Sequence, residues 1–255
     1  MGVNIGMGTD TNTTTTDGEE AGEAVEFGTD ADLAAFRLAD SFLPVGATSL
    51  SYALEQFVQA GDVQTAAELR ELLETYLRRQ VGGTDLVALR HAHAAARDGD
   101  VDRVCTVDER LSAATLPAEF RRGSARTGAR LLSLHKELID DDVLVTYAAR
   151  AEDDGPPANY AVVLGVTTAV MGVGLRRACL LSCHGFTTGM AGAAQRLASL
   201  GHTEVQRVLD GLRPTMQEAV ERSAGRPITE MESFTPLVEV RSCEHERADR
   251  RLFMN

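Results

Sequence analysis

The helical spacing of apolar residues is the feature that most constrains the fold of this chain. From Ala31 onward, apolar side chains recur mostly at positions i, i+3, i+4 and i+7, the period of an amphipathic helix. One such face is formed by Leu69, Leu72, Leu73, Tyr76 and Leu77. No hairpin signal interrupts the pattern, and the 44% of apolar residues can bury a sizeable core. The sequence therefore predicts an all-α fold, a single globular domain of about ten helices.

Local signals predict where several helices begin and end. Thr65 and Glu68 have the spacing of a capping box, in which the hydroxyl accepts from one backbone amide and the carboxylate accepts from another. Thr84 is predicted to cap the next helix. Pro117 is placed at the first turn of a helix that continues to about residue 138, because proline is tolerated where the backbone N–H has no partner within the helix.

Two long apolar helices are predicted at about residues 159–173 and 175–200. Glycine lowers helix propensity, so we interpret the glycines here as sites of close helix–helix approach. These glycines are Gly165, Gly172, Gly189 and Gly192. A second capping box is predicted at Thr203 and Gln206.

The two ends of the chain differ from its middle. Residues 1–28 are rich in Gly, Thr and acids and are predicted to form a disordered tail. Residues 29–238 are predicted to form the helical domain. Residues 239–255 interleave four acids with four arginines and are predicted to form a C-terminal tail that binds a partner.

Charge and cysteine content limit the class of protein. The net charge is −13, so binding to nucleic acid is not expected. Lys136 is the single lysine, which favours a halophilic archaeal source, although a GC-rich genome would also favour arginine. The uncharged apolar stretch at residues 160–175 is too short and glycine-rich to span a membrane. The four cysteines, without a secretory signal, predict reduced thiols in the cytoplasm.

Motifs of several enzyme classes are missing from the sequence. A P-loop needs a lysine after a glycine-rich turn, and Lys136 has no glycine nearby. Cys179 and Cys183 lie one helical turn apart and, with His184, are weak candidates for a metal site, the alternative being ordinary core cysteines. Cys243, with His245 two positions later, is a further weak candidate, the alternative being an ordinary contact role. We interpret His91 and His93 as surface or rim residues.

Three segments together resemble the UreF family of urease accessory proteins, which take part in the maturation of nickel urease. Residues 43–55 read LPVGATSLSYALE and are similar to that family's L-P-[VI]-G-x-[FY]-S-x-S-x-G-L-E. Residues 200–207 read LGHTEVQR, similar to its L-G-Q-T-x-x-Q-R, and residues 242–253 read SCEHERADRRLF, similar to its S-x-x-H-E-x-x-x-x-R-L-F. Order and spacing match from about residue 33 to the last residue.

The resemblance implies an all-α protein, usually a homodimer, with no catalytic activity and no tightly bound cofactor. It implies that the chain bridges the D (or H) accessory protein and the G-type GTPase, and that this assembly docks on apo-urease and delivers nickel in a GTP-dependent reaction. Nickel would be handled in transit by the complex.

The resemblance also implies which residues bind partners. They are Pro44, Gly46, Tyr52, Glu55, His245, Glu246, Arg251, Leu252 and Phe253. We expect the turn at Pro44 and Gly46 to present Tyr52 and Glu55 at an accessible helix end. By resemblance, Tyr52 and Arg251 would recruit the GTPase; the alternatives are core packing for Tyr52 and a solvated charge for Arg251.

Two other functions stay open at this level. One is an all-α metal-binding enzyme that uses Cys179, Cys183 and His184. The other is a direct GTPase-activating protein, in which Arg207 or Arg251 would reach the nucleotide site of its partner.

Overall fold

The computed structural model describes residues 1–2, 29–46, 49–152, 155–249 and 251–253, and these ranges contain α-helices but no strand. The helices are α1 (Thr29–Ala39), α2 (Leu54–Gln59), α3 (Ala66–Tyr76), α4 (Leu86–Arg97), α5 (Val101–Ala114), α6 (Ala118–Leu138), α7 (Asp142–Glu152), α8 (Tyr160–Val170), α9 (Leu175–Leu197), α10 (His202–Gly211), α11 (Arg213–Arg222) and α12 (Pro236–Arg247). The all-α prediction is confirmed. The tail predicted at residues 1–28 lies, beyond residue 2, outside the described residues.

Two pairs of consecutive helices are joined almost without a break. A π-helical segment, Leu77–Asp85, joins α3 to α4 without a break. A single residue, Leu212, separates α10 from α11, which begins with Pro214 in its first turn. A short 3₁₀ turn, Ile228–Glu230, precedes α12. Helix α12 crosses the boundary predicted at residue 239, so the C-terminal segment begins as a helix that packs on α2.

Helix α8 forms the centre of the core. Residues 161–168 are all buried, and α4, α6 and α9 pack around them. A Cβ atom on Gly165 would lie 2.6 Å from the carbonyl oxygen of Leu89 on α4, so the predicted close approach is confirmed there. The same interpretation is wrong for Gly172, Gly189 and Gly192, where an added Cβ would have no heavy atom of another described element within 4 Å.

The capping predictions had different outcomes. At α3 the capping box is confirmed, because Glu68 N donates to Thr65 Oγ1 at 3.3 Å and Thr65 N donates to Glu68 Oε2 at 2.9 Å. The cap at Thr84 is wrong. Its hydroxyl donates to the carbonyl oxygen of Gln80 at 2.8 Å, one turn earlier, and the helix continues through it.

The second predicted capping box, at Thr203 and Gln206, is also wrong. Helix α10 begins at His202 with Gly201 as its N-cap. Glu204 takes the expected role, because its Oε2 accepts from Gly201 N at 2.9 Å. The helix thus begins two residues earlier than the Thr–Gln spacing indicates.

A buried carboxylate fixes the loop between α7 and α8. Asp108 of α5 accepts hydrogen bonds from Tyr147 Oη at 2.8 Å, Ala158 N at 2.7 Å and Asn159 N at 2.9 Å. These bonds hold Ala158 at a φ of 59°, a left-handed conformation that is unfavourable for alanine. They thereby set the start of the central helix α8.

The described helices include none that combines the length and apolar character needed to cross a bilayer.

Candidate partner-binding site

The first and third family-like motifs meet in space. Glu55 lies in the first turn of α2, at the end of the first motif. Its carboxylate accepts from the backbone N–H of Leu252 at 3.0 Å and from that of Phe253 at 3.2 Å. Segments almost 200 residues apart in sequence therefore form one site.

His245 of α12 lies between two carboxylates. Its Nδ1 is 2.9 Å from Glu119 Oε2, and its Nε2 is 3.2 Å from Glu55 Oε2. Ser242 Oγ donates to the other Glu119 oxygen at 2.9 Å. Because ionised carboxylates only accept hydrogen bonds, both ring nitrogens donate when His245 is protonated. We call Glu55, Glu119 and His245 the Glu–His–Glu clamp.

The surroundings of the clamp favour a charged imidazole. Burial by itself lowers the pKa of His245, but the hydrogen bonds and negative charges of Glu119 and Glu55 outweigh burial, so the pKa is raised above its usual value. The imidazolium compensates one of the two buried carboxylates. The N–H groups of Leu252 and Phe253 stabilise the remaining negative charge on Glu55.

The expectation that Glu55 stands at an accessible helix end is wrong. Glu55 is 2% exposed and His245 is fully buried, because each satisfies its polar atoms inside the protein. The ring of Phe253 is also buried, and the guanidinium of Arg196 lies 4.5 Å from its centroid. Neither Glu55 nor His245 can contact a partner directly while α12 is packed in this way.

Other predicted partner-binding residues do reach the surface. Leu252 is 78% exposed, and Arg251 beside it is exposed. Glu246 is partly exposed and pairs with Arg122. The clamp thus separates the C-terminal motif into an internal part and an outward-facing part.

Tyr52 lies where the first motif enters α2. It has a φ of 50°, followed by Ala53 at 61°, so two consecutive residues are left-handed. The Tyr52 ring contacts Phe120 and Phe186 with centroid distances of 5.4 and 5.0 Å. Tyr76 Oη donates to the Tyr52 carbonyl oxygen at 2.5 Å. Tyr52 is therefore half-buried in an aromatic cluster, with a constrained backbone.

The predicted turn before α2 is present. Gly46 has a φ of 78°, which favours glycine, and a Cβ there would clash with the guanidinium of Arg130. Pro44 is exposed. The turn ends several residues before Leu54, so it positions the segment that contains Tyr52 rather than starting α2 itself.

The candidate metal ligands do not converge. Cys179 and Cys183 are buried in α9, where burial raises the pKa of their thiols to about 11 and about 12, while His184 is exposed. Cys243 is exposed on α12. Within the described ranges, no three His, Cys, Asp or Glu side chains are grouped so as to hold a metal ion.

The histidines of α4 differ from the prediction in one case. His91 contacts the carbonyl oxygen of Arg226 at 3.0 Å near the surface. His93 is buried, and its Nε2 lies 2.9 Å from the carbonyl oxygen of Val173. Its interpretation as a surface or rim residue is wrong, because the loop after α8 covers it.

Glu119 is the member of the clamp that sequence reasoning missed. It lies in the first turn of α6, where an acidic side chain ordinarily stabilises a helix by interacting with the positive end of its dipole. Nothing in its local sequence distinguishes it from such a residue. Its pairing with His245 spans 126 positions and is visible only in the folded protein.

Together, these features define an all-helical protein whose distinguishing site is an exposed C-terminal motif held in place by a buried ionic cluster. The UreF family model matches residues 63–213. The urease accessory protein UreF of Trichodesmium erythraeum is 32% identical over 223 residues, which cover 88% of this chain and 96% of that protein. UreF 1 of Brucella melitensis is 32% identical over 216 residues, covering 85% of this chain and 89% of the relative.

The chain belongs to the UreF family of urease accessory proteins. The UreF of Corynebacterium glutamicum is a further relative, 29% identical over 226 residues and matched across 99% of its length. The resemblance inferred from the three motifs is confirmed. Membership also confirms that the protein is a maturation factor and not an enzyme.

Proposed function

We propose that the chain is a urease maturation adaptor that acts in the cytoplasm as a homodimer. It bridges the D (or H) accessory protein and the G-type GTPase, and the assembly inserts nickel into apo-urease in a GTP-dependent reaction. Family membership supports the general role. The nucleotide chemistry belongs to the GTPase, in keeping with a sequence that has no P-loop lysine.

The convergence of the two motifs on Glu55 is the observation that carries this proposal. The bonds from Leu252 N and Phe253 N to Glu55 hold the C-terminal motif against the segment that contains Tyr52. Such bonds fix the backbone directly after Arg251, and the bonds of His245 hold α12 before it, so its guanidinium is presented from an anchored segment. An ordered arginine can pair with a partner carboxylate through two parallel hydrogen bonds at little cost in entropy.

The residues of the site have different roles in this proposal. Arg251 and Leu252 contact the GTPase directly, with Tyr52 at the edge of the same surface. Glu55, His245 and Phe253 do not contact the GTPase. They hold the C-terminal motif in place and so position Arg251 and Leu252. No feature of the cysteines or of Arg207 favours the alternatives of a metal enzyme or a direct GTPase activator.

Co-expression with the D-type accessory protein and the GTPase, followed by size-exclusion chromatography in molar KCl, tests the proposal. We expect the wild type to co-elute with both partners and Arg251→Ala to lose the GTPase while retaining the accessory protein. Arg247→Ala is the matched control, because Arg247 is also exposed and lies in the same segment. Elution of the wild type alone, or retention of the GTPase by Arg251→Ala, would contradict the proposal.

A further inference from the structure

A cavity of about 220 Å³ lies between the segment that follows α1, the π-helical segment and the middle of α9. It is distinct from the Glu–His–Glu clamp, whose three members do not line it. Its walls are largely apolar and include Leu50, Phe120 and Phe186. The volume exceeds that needed for a single water many times over and suits a group of side-chain size.

Four polar side chains face this cavity without a protein partner. Gln80, Thr127 and Ser182 are only 8%, 4% and 7% exposed and line the cavity. Asp85, at the end of the π-helical segment, lines it as well. Across the described residues, none of these four side chains makes a hydrogen bond or an ion pair. Buried polar groups in proteins are nearly always satisfied, so three of them on one cavity, beside the partly buried carboxylate of Asp85, point to a ligand.

The chemistry of the four groups selects the ligand. A carboxylate accepts hydrogen bonds only, and the amide oxygen of Gln80 and the two hydroxyls can accept as well. Burial raises the pKa of Asp85 to about 7, because no cation of the protein stabilises its charge. A ligand with positive charge and several N–H donors could donate to the acceptor atoms of all four groups.

A transition-metal ion fits the cavity less well. Such ions prefer imidazole, thiolate or several carboxylate ligands, whereas hydroxyl and amide groups are weak ligands for them. The described lining contains no His or Cys, and its other carboxylate, Asp40, accepts from Phe42 N at 2.9 Å. A hydrogen-bonding organic cation is the better match.

We propose that this cavity binds the head group of a small organic cation, an alkylguanidinium or alkylammonium, with Asp85 as counter-ion and Gln80, Thr127 and Ser182 as acceptors. The head group belongs either to a free small molecule or to an Arg or Lys side chain of a partner protein. The inference does not rest on the proposed function in urease maturation, because it follows from the lining of the cavity alone.

Calorimetric titration of the full chain with n-propylguanidinium and n-propylammonium chloride, at constant ionic strength, tests the proposal. We expect saturable binding at pH 8 and a loss of affinity of about tenfold or more in Asp85→Asn, because a charge-assisted hydrogen bond is removed. Asp40→Asn is the matched control, since it removes the same charge from the same cavity lining, and it should bind within about threefold of the wild type.

The pH dependence gives a second readout. Affinity should increase from pH 6 to pH 8 as Asp85 ionises. The other titratable groups near Asp85 are Asp40, which lines the cavity too, Tyr52, Tyr160 and Cys183. Burial raises the pKa of Tyr160 and of the Cys183 thiol to about 12, and that of Tyr52 higher still, so these three stay neutral over this range.

Two further variants, and titration of the complex with accessory proteins, complete the test. Thr127→Val and Ser182→Ala should each weaken binding while leaving the circular dichroism spectrum unchanged. If a partner side chain is the natural ligand, the complex with accessory proteins will no longer bind n-propylguanidinium, and Asp85→Asn will weaken that complex. If a free molecule is the ligand, the complex will bind the probe as the isolated chain does.

Three results would overturn the proposal. The first is the absence of saturable binding of either probe by the wild type. The second is binding by Asp85→Asn with wild-type affinity, or an equal loss in Asp40→Asn. The third is binding of Ni²⁺ that depends on Asp85 when neither organic cation binds.

Discussion

At the scale of single residues, the environment of His245 determines its chemistry more than its sequence position does. A histidine between two carboxylates, with no exposed surface, is a buried ion pair rather than a surface switch. Removing one member of a buried ion pair leaves the others uncompensated, and that cost usually exceeds the net stabilisation by the intact pair. The clamp is therefore more sensitive to substitution than its exposed neighbours.

His245→Ala should destabilise the protein by about 3 kcal/mol, because it leaves Glu55 and Glu119 buried without a cation. Urea denaturation followed by circular dichroism measures the change in the free energy of unfolding. His184→Ala is the control, since His184 is exposed on α9 and its loss should change stability by less than about 0.5 kcal/mol. Equal effects of the two substitutions would show that His245 is not paired in this way.

The stabilisation by the clamp should depend on pH. The pKa of His245 is raised in the folded state, so its contribution to stability is complete below the unfolded value of about 6.5 and is lost as pH rises through the folded value. The difference in unfolding free energy between wild type and His245→Gln should therefore shrink from pH 6 to pH 9. Other titrating groups, including Asp85, contribute equally to the unfolding free energy of both proteins, so their contributions cancel in this difference. A difference that grows with pH would contradict the prediction.

At the scale of helices, close packing decides which glycines matter. On α8, Gly165 lets the backbone of α4 approach, and an added methyl group would meet Leu89 O at 2.6 Å and Ala92 Cβ at 3.2 Å. On α9, Gly185 is exposed, and an added Cβ would have no heavy atom of another described element within 4 Å. The same residue type thus has opposite energetic consequences on two neighbouring helices.

Gly165→Ala should destabilise the protein by about 2 kcal/mol, because the α4–α8 contact must open. Gly185→Ala should instead stabilise it by about 0.5 kcal/mol, since alanine has the higher helix propensity. Thermal unfolding of the two variants beside the wild type measures both effects. Melting temperatures that move in the same direction would contradict the packing described for α8.

Helix existence and local capping could be predicted from sequence, whereas tertiary pairing could not. The capping box at Thr65 depends on two residues three positions apart, so the sequence contains all of it. Thr84 is also a residue type that favours the N-cap, but the apolar face runs through it, and its hydroxyl bonds within the continuous helix. The pairing of Glu119 with His245 depends on how α6 and α12 pack, which no local pattern specifies.

At the scale of the whole molecule, net charge is the dominant electrostatic feature. The chain has a net charge of −13. Most ion pairs among the described residues join exposed or partly exposed side chains, which contribute little to stability. Mutual repulsion among the acids therefore opposes the compact state at low ionic strength. This repulsion acts on the entire surface rather than on one site.

The melting temperature should rise by several degrees as KCl increases from low to molar concentration, because salt screens repulsion between the carboxylates. Differential scanning fluorimetry over a KCl series measures the change. Sucrose at matched osmolality is the control, since it favours compactness without screening charge. A melting point that stays constant in KCl would count against both the electrostatic argument and the halophilic origin.

The clamp also has a consequence for synthesis on the ribosome. Glu55 is bonded to His245 and Phe253, which lie 190 and 198 positions later in the chain. In a nascent chain that lacks these residues, Glu55 has no such hydrogen-bond partners, even if the earlier helices have already formed. The segment around Arg251 is therefore fixed in place only after translation has passed residue 253, because shorter translation products lack the groups that bond to Glu55.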